Sequence, residues 1–191
     1  MNFCPSRFNT YLLLTALLAA GCQSDQSKAE KQEAKKLSAL RINIETKDDN
    51  LGMGADGTTT TIQFPRIDPV NITIQREPIL SEAQVGQASV MATPGGCAVL
   101  IQFNSSGALT LEQFTASNPG KHLVIFGEWG DPKDKKDTNS LTARWLAAPL
   151  ISHRIANGVL SFTPDATRAE SDRFVLGLNN VARNMKKKEM Q

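Results

Sequence analysis

The sequence predicts an α+β domain: an antiparallel or mixed sheet with two helices packed on one face, preceded by a short β-hairpin region. Three observations carry that expectation. Residues 40–46, 58–64 and 70–75 alternate apolar with polar side chains and are rich in β-branched types, as half-buried strands are. Residues 122–126, His-Leu-Val-Ile-Phe, form a continuous apolar run suited to a strand covered on both faces. Near the end, Phe174, Leu178, Val181 and Met185 recur at helical spacing, so one helix face is apolar.

In chain order, the Gly-rich stretch 48–57 predicts a hairpin joining strand 40–46 to strand 58–64. Pro65, Pro69 and Pro78 mark corners around strand 70–75. A strand near 88–92, a turn at Pro94-Gly95-Gly96 and an apolar strand 97–103 follow. A helix over 107–117 presents Leu111, Phe114 and Thr115 on one face and stops at Asn118-Pro119-Gly120. Strands are expected at 142–148 and 158–162, with residues 131–140 an exposed charged loop between the earlier strands. For the last helix, Thr163 is the expected cap, Pro164 the first helical residue and Asp165 the anion at the positive dipole end. Lys186, Lys187 and Lys188 fall at its negative end, where cations are stabilised; the same run also suits anionic lipid.

The start of the chain has a different character. Arg7 supplies a basic n-region and residues 11–20 an apolar stretch, too short to cross a bilayer as a helix, which takes about 20 residues. It ends in Leu18-Ala19-Ala20-Gly21-Cys22, which resembles the lipobox of bacterial lipoproteins, although Ala19 stands where leucine is usual. Cleavage before Cys22 and acylation of its thiol are expected, and two or more acyl chains suffice for stable anchoring. Gln23 rather than Asp after the cysteine resembles sorting to the outer membrane, facing the periplasm. The expected organisation is a signal peptide (1–21), a polar tether (22–39), a β-rich segment (40–77), a head domain (78–185) and a basic tail (186–191).

Cysteine usage agrees with this layout. Cys4 leaves with the leader and Cys22 carries lipid, so Cys97 is left alone in an apolar run, as a buried inert thiol. The net charge of +2 in 191 residues gives no reason to expect a nucleic-acid partner. Gly52-Met53-Gly54-Ala55-Asp56-Gly57 matches G-x-G-x-x-G, but a threonine-rich strand follows where a dinucleotide site needs a helix N-terminus. Asp48, Asp49 and Asp56 lack the alternating spacing of a calcium loop. His122 and His153 have no cysteine or carboxylate at ligand spacing. Asn71-Ile72-Thr73 fits a glycosylation pattern that carries little weight in a bacterium. Trp129 and Trp145 flank the charged loop, as core residues or as an exposed recognition pair. No catalytic, cofactor-binding or metal-ligating residue is therefore assigned, and no cofactor is expected.

Several stretches taken in order resemble the head of the first periplasmic domain of SecD, the accessory subunit of the bacterial protein-export translocase. They are Pro78 to Val85, Ala98 to Phe103 running into a helix, Asn118 to Ile125, Ala148 to Ile151, Asn157 to Thr163 and a closing helix with Ala166 and Ala169. The resemblance, over residues 78–183, implies an α+β head without catalytic residues that contacts a polypeptide. It also implies departures: no membrane-spanning helices follow the leader, and the 131–140 loop replaces a tight turn. The expectation is a non-enzymatic envelope lipoprotein, held to the membrane through Cys22, whose head binds a protein or peptide partner. The competing expectation is a small-ligand binder or enzyme whose site forms only in three dimensions.

Overall fold

A computed structural model of the protein describes residues 36–46, 58–64, 70–130 and 141–190. Cys22, the glycine-rich stretch 52–57 with its aspartates, and the 131–140 loop lie outside the described residues.

The order is β1 (Leu37–Ile44), β2 (Thr59–Phe64), β3 (Val70–Gln75), β4 (Leu80–Ser81), a 3-10 turn (Glu82–Gln84), β5 (Val85–Thr93), β6 (Gly96–Phe103), α1 (Ser105–Ser117), β7 (Leu123–Gly130), β8 (Leu141–Ala147), β9 (Val159–Phe162) and α2 (Arg168–Glu189). The fold is α+β. Its strands form a four-stranded sheet β4-β1-β7-β8, a β2–β3 ribbon and a three-stranded sheet β5-β6-β9, and the pairings are antiparallel.

β1 shows why pairing had to be settled in three dimensions. Its alternation puts Leu40, Ile42 and Ile44 into the core, all at most 3% exposed. The expected partner across residues 48–57 was strand 58–64, yet β1 runs between β4 and β7, with Ile42 opposite both Leu80 and Ile125. β2 instead pairs β3, with Ile62 opposite Ile72. Alternation specifies which face of a strand is apolar and leaves its neighbour open. The strand also begins at Leu37, earlier than its alternation indicated.

The β2–β3 ribbon buries Ile62, Phe64, Ile72 and Ile74 against Val124, with Trp145 and Ala148 at the margin. Leu123 and Ile125, the neighbours of Val124, belong to the larger core on the other face of the sheet. Cover on both faces is what the continuous apolar run of β7 requires.

The larger core is shared by the two main sheets and α2, which buries Phe174, Val175 and Leu178. The Phe174 ring meets Trp129 edge to face, with centroids 5.7 Å apart. At Gly127 an added Cβ would lie 2.5 Å from Leu146 Cδ1 and 3.1 Å from Phe174 Cε2, so glycine lets β7, β8 and α2 approach.

Helix ends follow local chemistry. Asn104 caps α1, its Oδ1 accepting from Gly107 N–H at 2.9 Å. α2 begins later than the Thr163-Pro164 signal predicts: Thr167 is its cap, and Thr167 with Glu170 forms a reciprocal capping box. Asp165 N–H donates to Leu146 O at 2.7 Å, so the 163–165 stretch joins β8 rather than opening the helix. The apolar face of α2 ends at Ala182, and Met185, expected on that face, is 37% exposed.

Candidate functional site

The candidate site is a groove beside the open edge of β9, built by the segment between β8 and β9. β9 pairs β6 on one side, with Ile101 opposite Leu160, and its other side pairs with no strand among the described residues. Leu160 and Phe162 point into the core, whereas Ser161 between them is exposed. A sheet edge of this kind presents main-chain donors and acceptors to an extended chain.

The facing wall is residues 149–157, irregular in conformation but well tied down. Leu123 N–H donates to Pro149 O (3.0 Å), Ile151 N–H to Lys121 O (2.8 Å) and Gly120 N–H to Ile151 O (2.9 Å), stitching the wall to the start of β7. Farther along, Ile155 N–H donates to Thr115 Oγ1 (3.0 Å), and that hydroxyl donates to Leu111 O (2.7 Å) inside α1. Arg154 forms an ion pair with Glu112 of α1. Asn157 Oδ1 accepts from Val159 N–H at 3.1 Å, closing the turn into β9.

Two cavities lie along β9 and share Pro149. One of about 520 Å³ is lined by Leu123, Leu150, Ile155, Val159 and Ser161 among others. The other, of about 370 Å³, is lined by Phe64, Leu146, Phe162 and Pro164 among others. Leu150, 56% exposed, sits at the lip of the larger one. Both volumes fall in the range of ligand sites, about 300–1,000 Å³. The walls are mainly apolar, which suits side chains of an extended polypeptide.

On the groove wall, Ser152, His153, Arg154 and Asn157 each take part in a hydrogen bond or ion pair. His153 Nδ1 lies 2.9 Å from Ser152 Oγ, an exposed adjacent pair, and no described hydrogen bond places a carboxylate on that imidazole. Among the described residues the pair is thus without the orienting acid that completes a nucleophilic triad. His122, bridged through its backbone to Leu150, has its Nδ1 2.7 Å from Glu45 Oε2, which also accepts the His122 backbone N–H at 2.9 Å. The two imidazoles thus have different partners. Among the described residues no group of three His, Cys, Asp or Glu side chains could hold a metal.

Cys97 is 5% exposed, with Sγ 3.6 Å from Ser171 Oγ. Trp129 and Trp145 lie on opposite faces of the four-stranded sheet and form no pair. Trp129 is 3% exposed against Phe174, while Trp145 stacks edge to face on Phe126 at 5.1 Å beside the ribbon. The tryptophan signal therefore marked packing. The groove wall went unread in the sequence because residues 149–157 have no periodicity, and Pro149-Leu150-Ile151 was its one visible apolar sign.

The Glu170 carboxyl is held below its usual range, first by the Thr167 backbone N–H and then by the Thr167 hydroxyl and Arg144, while partial burial opposes them. This is a helix-start device, remote in role from the groove.

No helix among the described residues is long and apolar enough to cross a membrane. A search of curated protein sequences found no match. Among solved structures, the chain is similar to SecDF, a membrane component that enhances protein export, with 20% identity and a TM-score of 0.50. That match covers 83% of this chain and 69% of the other. It is also similar to SecDF in a super-membrane-facing form (20% identity, TM-score 0.49) and to SecDF from Thermus thermophilus, a translocon-associated membrane protein (20%, 0.41). Those matches cover 83% and 84% of this chain but 21% of each SecDF chain, so the protein corresponds to about a fifth of their length. At this identity the likeness shows the fold. The family model for the SecDF P1 head subdomain matches residues 59–182, and the chain belongs to that family.

Proposed function

We propose that this protein is a non-enzymatic lipoprotein of the bacterial envelope, anchored through lipid on Cys22 and facing the periplasm, whose head domain binds an extended polypeptide beside β9. One observation carries the binding reading. A strand edge that is unpaired among the described residues runs along mainly apolar cavities whose far wall is fixed by hydrogen bonds to β7 and α1. Main-chain pairing along such an edge binds many sequences, and shallow apolar pockets accept alternate side chains. Membership of the SecDF P1 head family supports a role related to protein export, with a translocon component or an exported chain as partner. Anchoring rests on the 18–22 pattern and the apolar stretch before it.

The test is site-specific photocrosslinking in intact envelopes. A photoreactive residue at Leu150 or Val159 should trap a defined polypeptide, whereas one at Gln113, exposed on α1, should not. Equal labelling of abundant bystanders from all three positions would overturn the binding reading.

A further inference from the structure

The last turns of α2 outrun the body of the domain. Ala182 is its last buried residue, and every side chain from Arg183 to Lys188 is exposed. Four of these are cations, Arg183, Lys186, Lys187 and Lys188, and none takes part in an ion pair among the described residues. With Glu189 set against them, this projecting segment carries a net charge of +3. Glu82, on the 3-10 turn that packs against α2, spends its carboxylate on Leu40 N–H at 3.1 Å. Met185 and Met190, 37% and 79% exposed, add apolar side chains to the same segment. Two turns of solvated helix with this composition exceed what is needed to complement the helix dipole, an effect confined to the last turn.

A second observation gives the segment a direction. Asn180 Nδ2 donates to the carbonyl of Lys36 at 2.8 Å, and one turn earlier an added Cβ on Gly177 would lie 2.0 Å from Ser38 Oγ. The chain therefore enters the domain against α2, beside the turns that project. Lys36 is itself exposed. Cys22 precedes Lys36 by 14 residues, which span at most about 50 Å however they are arranged.

We infer that the C-terminal end of α2, with Arg183, Lys186, Lys187, Lys188 and Lys36, docks on the anionic phospholipid surface of the membrane that carries the Cys22 anchor. The inference rests on the lipid-anchor reading of Cys22 and adds an orientation to it. Phosphate headgroups complement the cations, the methionines enter the interface beside them, and the anchor keeps the surface within reach. Docking through α2 fixes which side of the domain faces the bilayer.

The test uses the lipidated full chain in two kinds of vesicle, one of phosphatidylcholine alone and one with phosphatidylglycerol at roughly a third of the lipid. Amides of residues 183–188 should exchange more slowly on the anionic vesicles, and the difference should vanish at high salt. Replacing the three lysines (K186Q, K187Q and K188Q together) should lower the docked-to-free ratio roughly a hundredfold while membrane retention is kept. Retention on both vesicles with equal exchange would overturn this inference alone. Retention on neither would overturn the anchor reading and this inference with it. Equal protection by soluble polyglutamate would assign the patch to any polyanion and also overturn it.

Discussion

Asn179 on α2 completes both main-chain groups of Ala88 on β5: its Oδ1 accepts the Ala88 N–H at 2.8 Å, and its Nδ2 donates to the Ala88 carbonyl at 2.9 Å. One side-chain amide thus takes the place of a neighbouring strand at the edge of the β5-β6-β9 sheet. β9 presents a contrast, because one edge of the sheet is closed by α2 while the other faces a groove.

Replacing Asn179 with Ala should destabilise the domain by about 1–3 kcal/mol, since two partly buried backbone groups lose their partners. Asn179→Asp should be nearly as costly, because a carboxylate cannot donate to the Ala88 carbonyl. Urea denaturation of both variants checks this; wild-type midpoints would contradict it.

Gly177 lies where α2 crosses the start of β1. An added Cβ would fall 2.0 Å from Ser38 Oγ and 2.7 Å from Ser38 N, and the backbone atom cannot swing away. Gly177→Ala should cost more than about 3 kcal/mol, at or beyond the usual range for overpacking. Ser38→Gly should relieve the double variant only in part, because the clash with Ser38 N remains. Thermal melts of the single and double variants decide it.

The Glu170 carboxyl has its acidity set mainly by the Thr167 backbone N–H. Its folded-state pKa is lowered, so its contribution to stability is present above the unfolded value and is lost as pH falls through the folded one. Thr167→Ala should cost about 1 kcal/mol near neutral pH. Glu170→Gln should flatten the acid limb of stability against pH, and an unchanged limb would show that the cap is not its source.

Blunting the open edge should separate fold from binding. Ser161 is exposed on β9, so Ser161→Lys should leave stability within about 0.5 kcal/mol of wild type, as most surface substitutions do. An edge lysine discourages strand addition, so trapping from Leu150 should fall. Undiminished trapping would place the partner elsewhere.

Cys22→Ser should abolish acylation and leave uncleaved precursor, because the hydroxyl is far less nucleophilic than a thiolate. Mass spectrometry and fractionation of envelopes provide the readout. Normal maturation and membrane retention of that variant would refute the anchor.

Much of the fold was legible because its signals are local. The alternation at 70–75, the Pro94-Gly95-Gly96 turn and the apolar run at the start of β7 each reflect which faces of a short segment are buried. The order of the SecD-like stretches over 78–183 likewise agrees with a family match over residues 59–182. Which strands are neighbours was a different matter. β1 sits between β4 and β7 because contacts distant in sequence, such as Ile42 with Ile125, outweigh the short loop closure to β2. The cap moved from Thr163 to Thr167 because Glu170 completes a reciprocal box there, while Asp165 is held by Leu146. Trp129 and Trp145 fell on opposite sheet faces because their registers on β7 and β8 differ, with Trp145 opposite Phe126. The groove beside β9 and the side of α2 that meets the incoming chain are products of packing between segments. A sequence records the periodicity of each segment, and only the tertiary structure decides which surfaces are covered and which remain open.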